Sequence, residues 1–358
     1  MYIMTLEINQ KCNLKCKYCY LGEKDGSKMS ITTAYKGVEI AFEKVKFHKD
    51  RKIWFDFVGG EAFIDFPMIK DIVAYIEKKN QKYENILQYS ITTNATLFTQ
   101  EIIDYLVDKK FSLKISIDGD KSVNDRNRIA KAHYSVHDKI LSQLDLIHGF
   151  EKRANKIVQV TNVVTNNNYG SYADSVQYLV GEVGFRMIDT GIDYYSDWSE
   201  AEMTGLENEI RKVFDFFIER AYQGKGFRWS FAESLVDMKK EPCKKFYSCG
   251  AGIVSSYVRH DGSLYACPGN LNKEVAMGDV NSGFDRKKME WLQQFDDIDN
   301  KKCHACSAFP VCAEKSCVMM NIGKTGNPNQ PAPMLCWTRL LLVKIYGENK
   351  ELISHIAM

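Results

Sequence analysis

Apolar and polar positions alternate between two periods through roughly the first 225 residues of the chain. Short apolar runs at Ile3–Ile8, Ile53–Val58, Leu87–Thr93, Ser112–Ile117, Val158–Val164 and Arg186–Ile192 predict six strands. Each run is followed by a stretch whose apolar residues recur three or four apart. These stretches predict helices around Thr33–Val45, from Pro67 onward, over Glu101–Asp108, Asp138–His148 and Tyr172–Val183, and over Asn208–Tyr222. The second has Ile69, Ile72, Val73 and Ile76 on one face, and Pro67 suits a first helical turn, where its missing N–H is no loss. The last has Ile210, Val213, Phe214, Phe217 and Ile218. Six strand–helix repeats predict an α/β fold, a parallel sheet with helices outside. An open doubly wound sheet and a partial barrel fit the pattern equally. In both, the loops leaving the C-terminal ends of the strands form the site.

From about Lys239 the pattern changes. Eight of the 11 cysteines fall between Cys243 and Cys336. Tyr257–Ala266, with Asp261-Gly262 in its middle, predicts a β-hairpin. Gly323–Pro333 reads as a loop, and Trp337–Ile356 as a closing helix. The expected organisation is a first domain over 1–235, a cysteine-rich domain over 236–336 and a terminal helix over 337–358. Hydrophobic residues make up 45% of the chain, enough for a full core. The 48 basic and 46 acidic residues balance, so nothing marks a nucleic-acid groove or a polybasic membrane patch. No apolar run is long enough for a transmembrane helix, and the N-terminus lacks the pattern of a signal peptide. Clustered cysteines without an export signal argue for metal rather than disulfides, and for a cytoplasmic location.

Cys12, Cys16 and Cys19 stand as Cys-x3-Cys-x2-Cys on one loop after the first strand. A structural zinc site wants four protein ligands, and a disulfide leaves one of the three cysteines over. A catalytic zinc with three protein ligands and water fits the count. So does a [4Fe–4S] cube, in which three thiolates leave one iron open to a small molecule. Gly59-Gly60-Glu61 follows the second strand, which places it on the same rim as the cysteines.

The combination resembles a radical SAM enzyme: the three cysteines with Tyr18 before the last, then Gly59-Gly60-Glu61, then Ser116-Ile117-Asp118-Gly119 after the fourth strand. Residues Asn124-Asp125-Arg126-Asn127-Arg128 resemble the segment that follows in that family. The later cysteines, Cys249, Cys267, Cys303, Cys306, Cys312, Cys317 and Cys336, resemble a SPASM domain, except that four residues rather than three separate Cys312 from Cys317. The resemblance implies a partial (β/α)6 barrel followed by a cysteine-rich iron–sulfur domain. It implies S-adenosylmethionine and three [4Fe–4S] clusters as cofactors. Cys12, Cys16 and Cys19 would hold the reactive cluster. Cys243, Cys249, Cys267 and Cys317 would hold one closed cluster, and Cys303, Cys306, Cys312 and Cys336 the other. A pair of zinc sites is the alternative for these eight thiols.

On the same resemblance, Gly59, Gly60 and Glu61 would border the methionine amino group, Ser116 the ribose or carboxylate, and Arg128 the carboxylate. Tyr18 would shield the cluster and line the adenine pocket. Asp118, Asp189, Asp193, Tyr194 and Tyr195 stand at strand ends within reach of a substrate. The implied activity is reductive cleavage of S-adenosylmethionine to a 5′-deoxyadenosyl radical, which takes a hydrogen from a ribosomally made precursor peptide and leads to a thioether or carbon–carbon crosslink. The implied partners are that peptide, a ferredoxin or flavodoxin donor, and a separate leader-binding protein if neither the barrel nor the cysteine-rich surface reads a leader, since the first strand begins at about residue 3. An anaerobic sulfatase-maturating enzyme, which makes formylglycine, is the near alternative. In that group an aspartate follows the cysteine matching Cys267; here Pro268 follows it, and proline cannot take a proton. A non-catalytic iron–sulfur or zinc scaffold is the third reading.

Overall fold

The computed structural model describes residues 1–238, 249–295, 299–312 and 317–355. Cys243 lies outside the described residues. The chain divides into two compact units. The first comprises Met1–Ser116, Asn127–Val158 and Gly250–Gln293; the second comprises Ile117–Arg126, Gln159–Cys249 and Gln294–Met358. The strands in chain order are β1 (Tyr2–Glu7), β2 (Lys52–Val58), β3 (Ile86–Thr93), β4 (Ser112–Ser116), β5 (Gln159–Val164), β6 (Met187–Ile192), β7 (Arg228–Trp229), β8 (Ser255–Val258), β9 (Ser263–Tyr265), β10 (Gly278–Asp279) and β11 (Gly283–Phe284).

In the first unit β1 to β4 lie side by side and parallel, with Tyr2 opposite Ile53, Ile53 opposite Leu87 and Ser90 opposite Ser112. The alternation along them explains the register. Tyr2, Met4 and Leu6 of β1 and Ile53, Phe55 and Phe57 of β2 are buried under the helices. The intervening residues face the other way, and among them Trp54 Nε1 donates to Ser90 Oγ at 2.6 Å and Ser90 Oγ to Asp56 at 2.5 Å. A one-residue slip would exchange these faces. The predicted hairpin forms as β8 and β9, antiparallel, but β8 also pairs in parallel with β1. It extends the sheet beyond β1, a pairing across about 250 residues that no local pattern announces.

The second unit holds β5, β6 and β7, all parallel. Trp229 is enclosed there, its Nε1 donating to the Tyr172 hydroxyl at 3.0 Å.

Helix boundaries follow caps more than apolar period. Phe66–Asn80 begins with Pro67 in its first turn. The helix expected from Asn208 starts at Glu200, because Ser199 and Glu202 form a capping box ahead of the apolar face. The helix expected over Asp138–His148 is two, Val136–Leu141 and Leu144–Ala154, and the terminal one is Pro333–Glu348 followed by Lys350–His355. A short helix over Lys121–Asn127 directly follows Ser116-Ile117-Asp118-Gly119.

Candidate functional site

The loop leaving β1 is pinned on three sides. Gln10 N donates to Ser27 O at 2.8 Å. Lys15 N donates to Ile129 O at 2.7 Å and Lys17 N to Asn127 O at 3.0 Å, so Asn127–Ala130 runs against the cysteine segment. On the third side Gly60 N donates to Asn9 O at 2.8 Å and Glu61 N to Lys11 O at 2.7 Å. A Cβ on Gly59 would stand 2.7 Å from Asn9 O, and one on Gly60 would overlap the Lys11 carbonyl. Both glycines are therefore required by the approach of the cysteine loop itself.

Glu61, expected at the cofactor, is 1% exposed and turned into the protein. Its carboxylate accepts from Asn94 N at 2.7 Å, Thr93 Oγ1 at 2.8 Å and Phe63 N at 3.2 Å. Burial pushes its pKa up against the pull of those donors. It joins the ends of β2 and β3. The join positions Asn94, whose Nδ2 donates to Asn13 Oδ1 at 2.8 Å and approaches Cys12 Sγ at 3.9 Å. Leu14 N reaches the same sulfur at 3.4 Å. N–H groups directed at a thiolate are a common means of tuning an iron–sulfur centre. Asn94 was not expected. Its signal was the run Thr92-Thr93-Asn94-Ala95-Thr96 leaving a buried strand at the same rim, with Ala95 at φ +61°.

Cys12 is buried, and burial pushes its thiol up; Cys16 and Cys19 are partly exposed. Lys24 lies within electrostatic reach of all three. Burial lowers its pKa, but the attraction of Cys19, Cys12 and Cys16 outweighs that and the net shift is upward. Three sulfurs converging near one cation, with donors already directed at one of them, fit a cluster bound through three thiolates. Arg128 is 5% exposed and its guanidinium sits 5.3 Å from the centre of the Tyr18 ring, a cation–π contact. Ser116 ends β4, half-buried.

In the second unit the structure gives several expected substrate residues structural partners. Asp118 is 2% exposed and accepts from Val163 N at 3.0 Å. Gly119 packs where a Cβ would overlap the Ser175 hydroxyl. Asp189 accepts from Gln159 Nε2 at 2.6 Å, and Asp193 from the backbone of Tyr195 and Ser196 at 3.1 and 3.2 Å. These aspartates hold backbone and neighbours rather than facing open space. Tyr194 is half-buried, its pKa pushed up to about 12 by desolvation, and Tyr195 packs over Gly323.

Cys303, Cys306, Cys312 and Cys336 line one cavity of about 480 Å³ in the second unit, with Phe309, Leu335, Trp337 and Leu340. Three of these sulfurs come from Lys301–Cys312 and the fourth from the helix Pro333–Glu348. Burial pushes the thiols of Cys303, Cys312 and Cys336 up, and Arg339 pulls the other way on Cys312. Among the described residues no three Cys, His, Asp or Glu side chains close on a single-ion site. The four thiols rim the cavity together and could hold a metal centre there. Cys317 is half-buried, within electrostatic reach of Cys249, and accepts from the N–H groups of Met319 and Met320. Cys267 belongs to the first unit and is partly exposed. Among the described residues no helix is long and apolar enough to cross a membrane.

The profile of the Radical SAM superfamily matches residues 6–149. A cysteine-type anaerobic sulfatase-maturating enzyme of Clostridium novyi is 22% identical over 330 residues, spanning 85% of this chain and 84% of that one. The structure of native anSMEcpe with bound AdoMet and Cp18Cys peptide has a TM-score of 0.80 at 19% identity and covers 98% of each chain. Streptococcus suis SuiB bound to precursor peptide SuiA has a TM-score of 0.62 at 16% identity, covering 94% of this chain and 75% of that one. These likenesses show the α/β fold with its parallel sheet. With the profile and the cysteine loop in agreement, the chain belongs to the radical SAM superfamily of enzymes.

Proposed function

We propose that the chain is a radical SAM maturase that crosslinks a ribosomally made precursor peptide through a thioether or carbon–carbon bond. The observation that carries the reading is the three-cysteine loop held at the ends of β1, β2 and β3 by Gly59-Gly60 and by the Glu61–Asn94 join. Relatives solved with peptides bound support a peptide or protein side chain as the target. Pro268, which leaves no base after Cys267, favours crosslinking over formylglycine formation. The sulfatase-maturase reading stands second, on the likeness to the Clostridium novyi enzyme.

On this reading Cys12, Cys16 and Cys19 hold the reactive [4Fe–4S] cluster. Cys303, Cys306, Cys312 and Cys336 hold a second, and Cys243, Cys249, Cys267 and Cys317 a third. When bound, the reactive cluster and S-adenosylmethionine supply a radical able to take hydrogen from an unactivated carbon. The chain's own groups do the rest. Asn94 and the Leu14 N–H face the Cys12 sulfur, Arg128 over Tyr18 offers a planar fork to a carboxylate, and the loop excludes water from Cys12. A ferredoxin or flavodoxin supplies electrons in the cytoplasm.

The test is anaerobic reconstitution followed by reduction and addition of S-adenosylmethionine. The expected result is 5′-deoxyadenosine with roughly 12 iron atoms per chain. Co-expression with each short reading frame beside the gene should then yield a peptide lighter by two hydrogens per crosslink. Formylglycine in a sulfatase peptide, with no crosslinked product, would decide for the second reading. No 5′-deoxyadenosine would reject both.

A further inference from the structure

Glu7, the last residue of β1, is a buried acid that the chemistry above leaves unused. It is 0% exposed. One oxygen accepts from the Tyr257 hydroxyl; the other faces His260 Nδ1 at 2.5 Å and Gln10 Nε2 at 3.3 Å. A carboxylate without solvent is costly, and a group meant only to fill this space would be apolar. Because β1 and β8 are parallel, Glu7 and the turn after Val258 emerge at one end of the sheet. The cysteine loop leaves from that same end. Tyr20, next to Cys19, hydrogen-bonds Tyr257, although the residue as a whole is 53% exposed. From the cysteine loop Asp25 also feels His260 and Arg259, and Arg259 in turn lies 3.9 Å from Asp261 and bonds Tyr265. The pair therefore faces Tyr257, Tyr265 and the neighbouring Arg259 from the hairpin, and Gln10, Tyr20 and Asp25 from the loop.

A carboxylate behind Nδ1 fixes the imidazole tautomer and leaves Nε2 as a proton acceptor. We propose that His260, oriented by Glu7 and Tyr257, accepts the proton that the substrate releases during crosslinking. The inference rests on the peptide-maturase reading. Joining a C–H carbon to a thiol sulfur releases a hydrogen atom, a proton and an electron. The C–H bond breaks homolytically and its hydrogen leaves within 5′-deoxyadenosine. The S–H bond breaks and its proton passes to His260 Nε2. The new C–S bond keeps two of the three remaining electrons, and the third goes to a one-electron acceptor of the iron–sulfur class. His260 is the catalytic group; Glu7 and Tyr257 are positioning residues.

The probe is the peptide, encoded beside the gene, that the wild-type chain modifies on co-expression. With purified, iron-loaded enzyme, His260→Gln and Glu7→Gln should each raise 5′-deoxyadenosine formed per crosslink by about tenfold. His260→Gln should also remove the acid limb of the pH–rate profile for product, and imidazole in the buffer should restore coupling to His260→Gly. An unchanged ratio and pH profile in both Gln variants, at wild-type iron content, would overturn the proposal. So would a loss in His260→Gly that imidazole leaves untouched. A wild-type chain that yields neither 5′-deoxyadenosine nor modified peptide rejects the maturase reading, and this inference falls with it.

Discussion

The two described sets of converging cysteines are built on opposite plans. Cys12, Cys16 and Cys19 come from one loop, and the polar groups around them are hydrogen-bonded: Asn13, Asn94, Thr96 and Glu61 form one continuous network. Cys303, Cys306 and Cys312 come from one short stretch and Cys336 from the helix Pro333–Glu348, and the four open on a cavity whose other walls are mainly apolar. Three donors in a polar, anchored frame leave a coordination position for something else to enter. Four donors in an apolar frame leave none. One arrangement is suited to chemistry at the metal and the other to storing or passing an electron.

Cysteine replacement should break the comparison most sharply. Changing Cys12, Cys16 and Cys19 to Ala together is expected to abolish 5′-deoxyadenosine formation while leaving about eight iron atoms per chain. Changing Cys303, Cys306, Cys312 and Cys336 should lower iron by a similar step as one set, about four atoms, yet leave 5′-deoxyadenosine measurable while crosslinked product disappears. If both sets behaved alike, the difference in plan would carry no function.

The polar frame gives the next effect. Glu61→Ala strands three buried donors at once and should cost about 3 kcal/mol in denaturant unfolding, with loss of iron from the first set only. Asn94→Ala removes the side-chain donor nearest the Cys12 sulfur together with the bonds to Asn13 and Thr96. It should cost about 2 kcal/mol and shift the reduction potential of the first cluster in electrochemical titration, leaving the others in place.

The smallest effect belongs to the second unit. Lys344 holds the Glu207 carboxyl below its ordinary range, and Arg211 adds to the hold. A depressed carboxyl contributes stability above its unfolded value, about 4.3, and loses that contribution as pH falls through the folded value. Glu207→Gln should therefore cost less than about 1 kcal/mol at neutral pH, and the variant and wild-type melting curves should converge in acid.

The strand–helix alternation, the three-cysteine loop and the turn after β2 were all legible in the sequence, since period and spacing are local properties. The roles within the turn were not. Gly60 reads as a close approach of backbone to the methionine amino group, and the structure shows a second close approach, to the Lys11 carbonyl. Glu61 reads as part of the same border, and its carboxylate joins the ends of two strands. Asn94 sits in a polar run of residue types common in any turn, and only its place beside Cys12 sets it apart. Glu7 and His260 are 253 positions apart and meet because β8 pairs with β1, which neither segment signals alone. The helix from Glu200 was missed at its start because the cap, rather than the apolar face, sets that end.

The glycine turn docked on the cysteine loop bears on how replacements there are read. Gly60 N and Glu61 N bind the carbonyls of Asn9 and Lys11 through backbone alone, and Asn127–Ala130 closes the far side in the same way. Bonds between main-chain atoms survive a change of side chain. Replacing Cys12, Cys16 or Cys19 therefore takes away a thiol while these anchors of the loop remain.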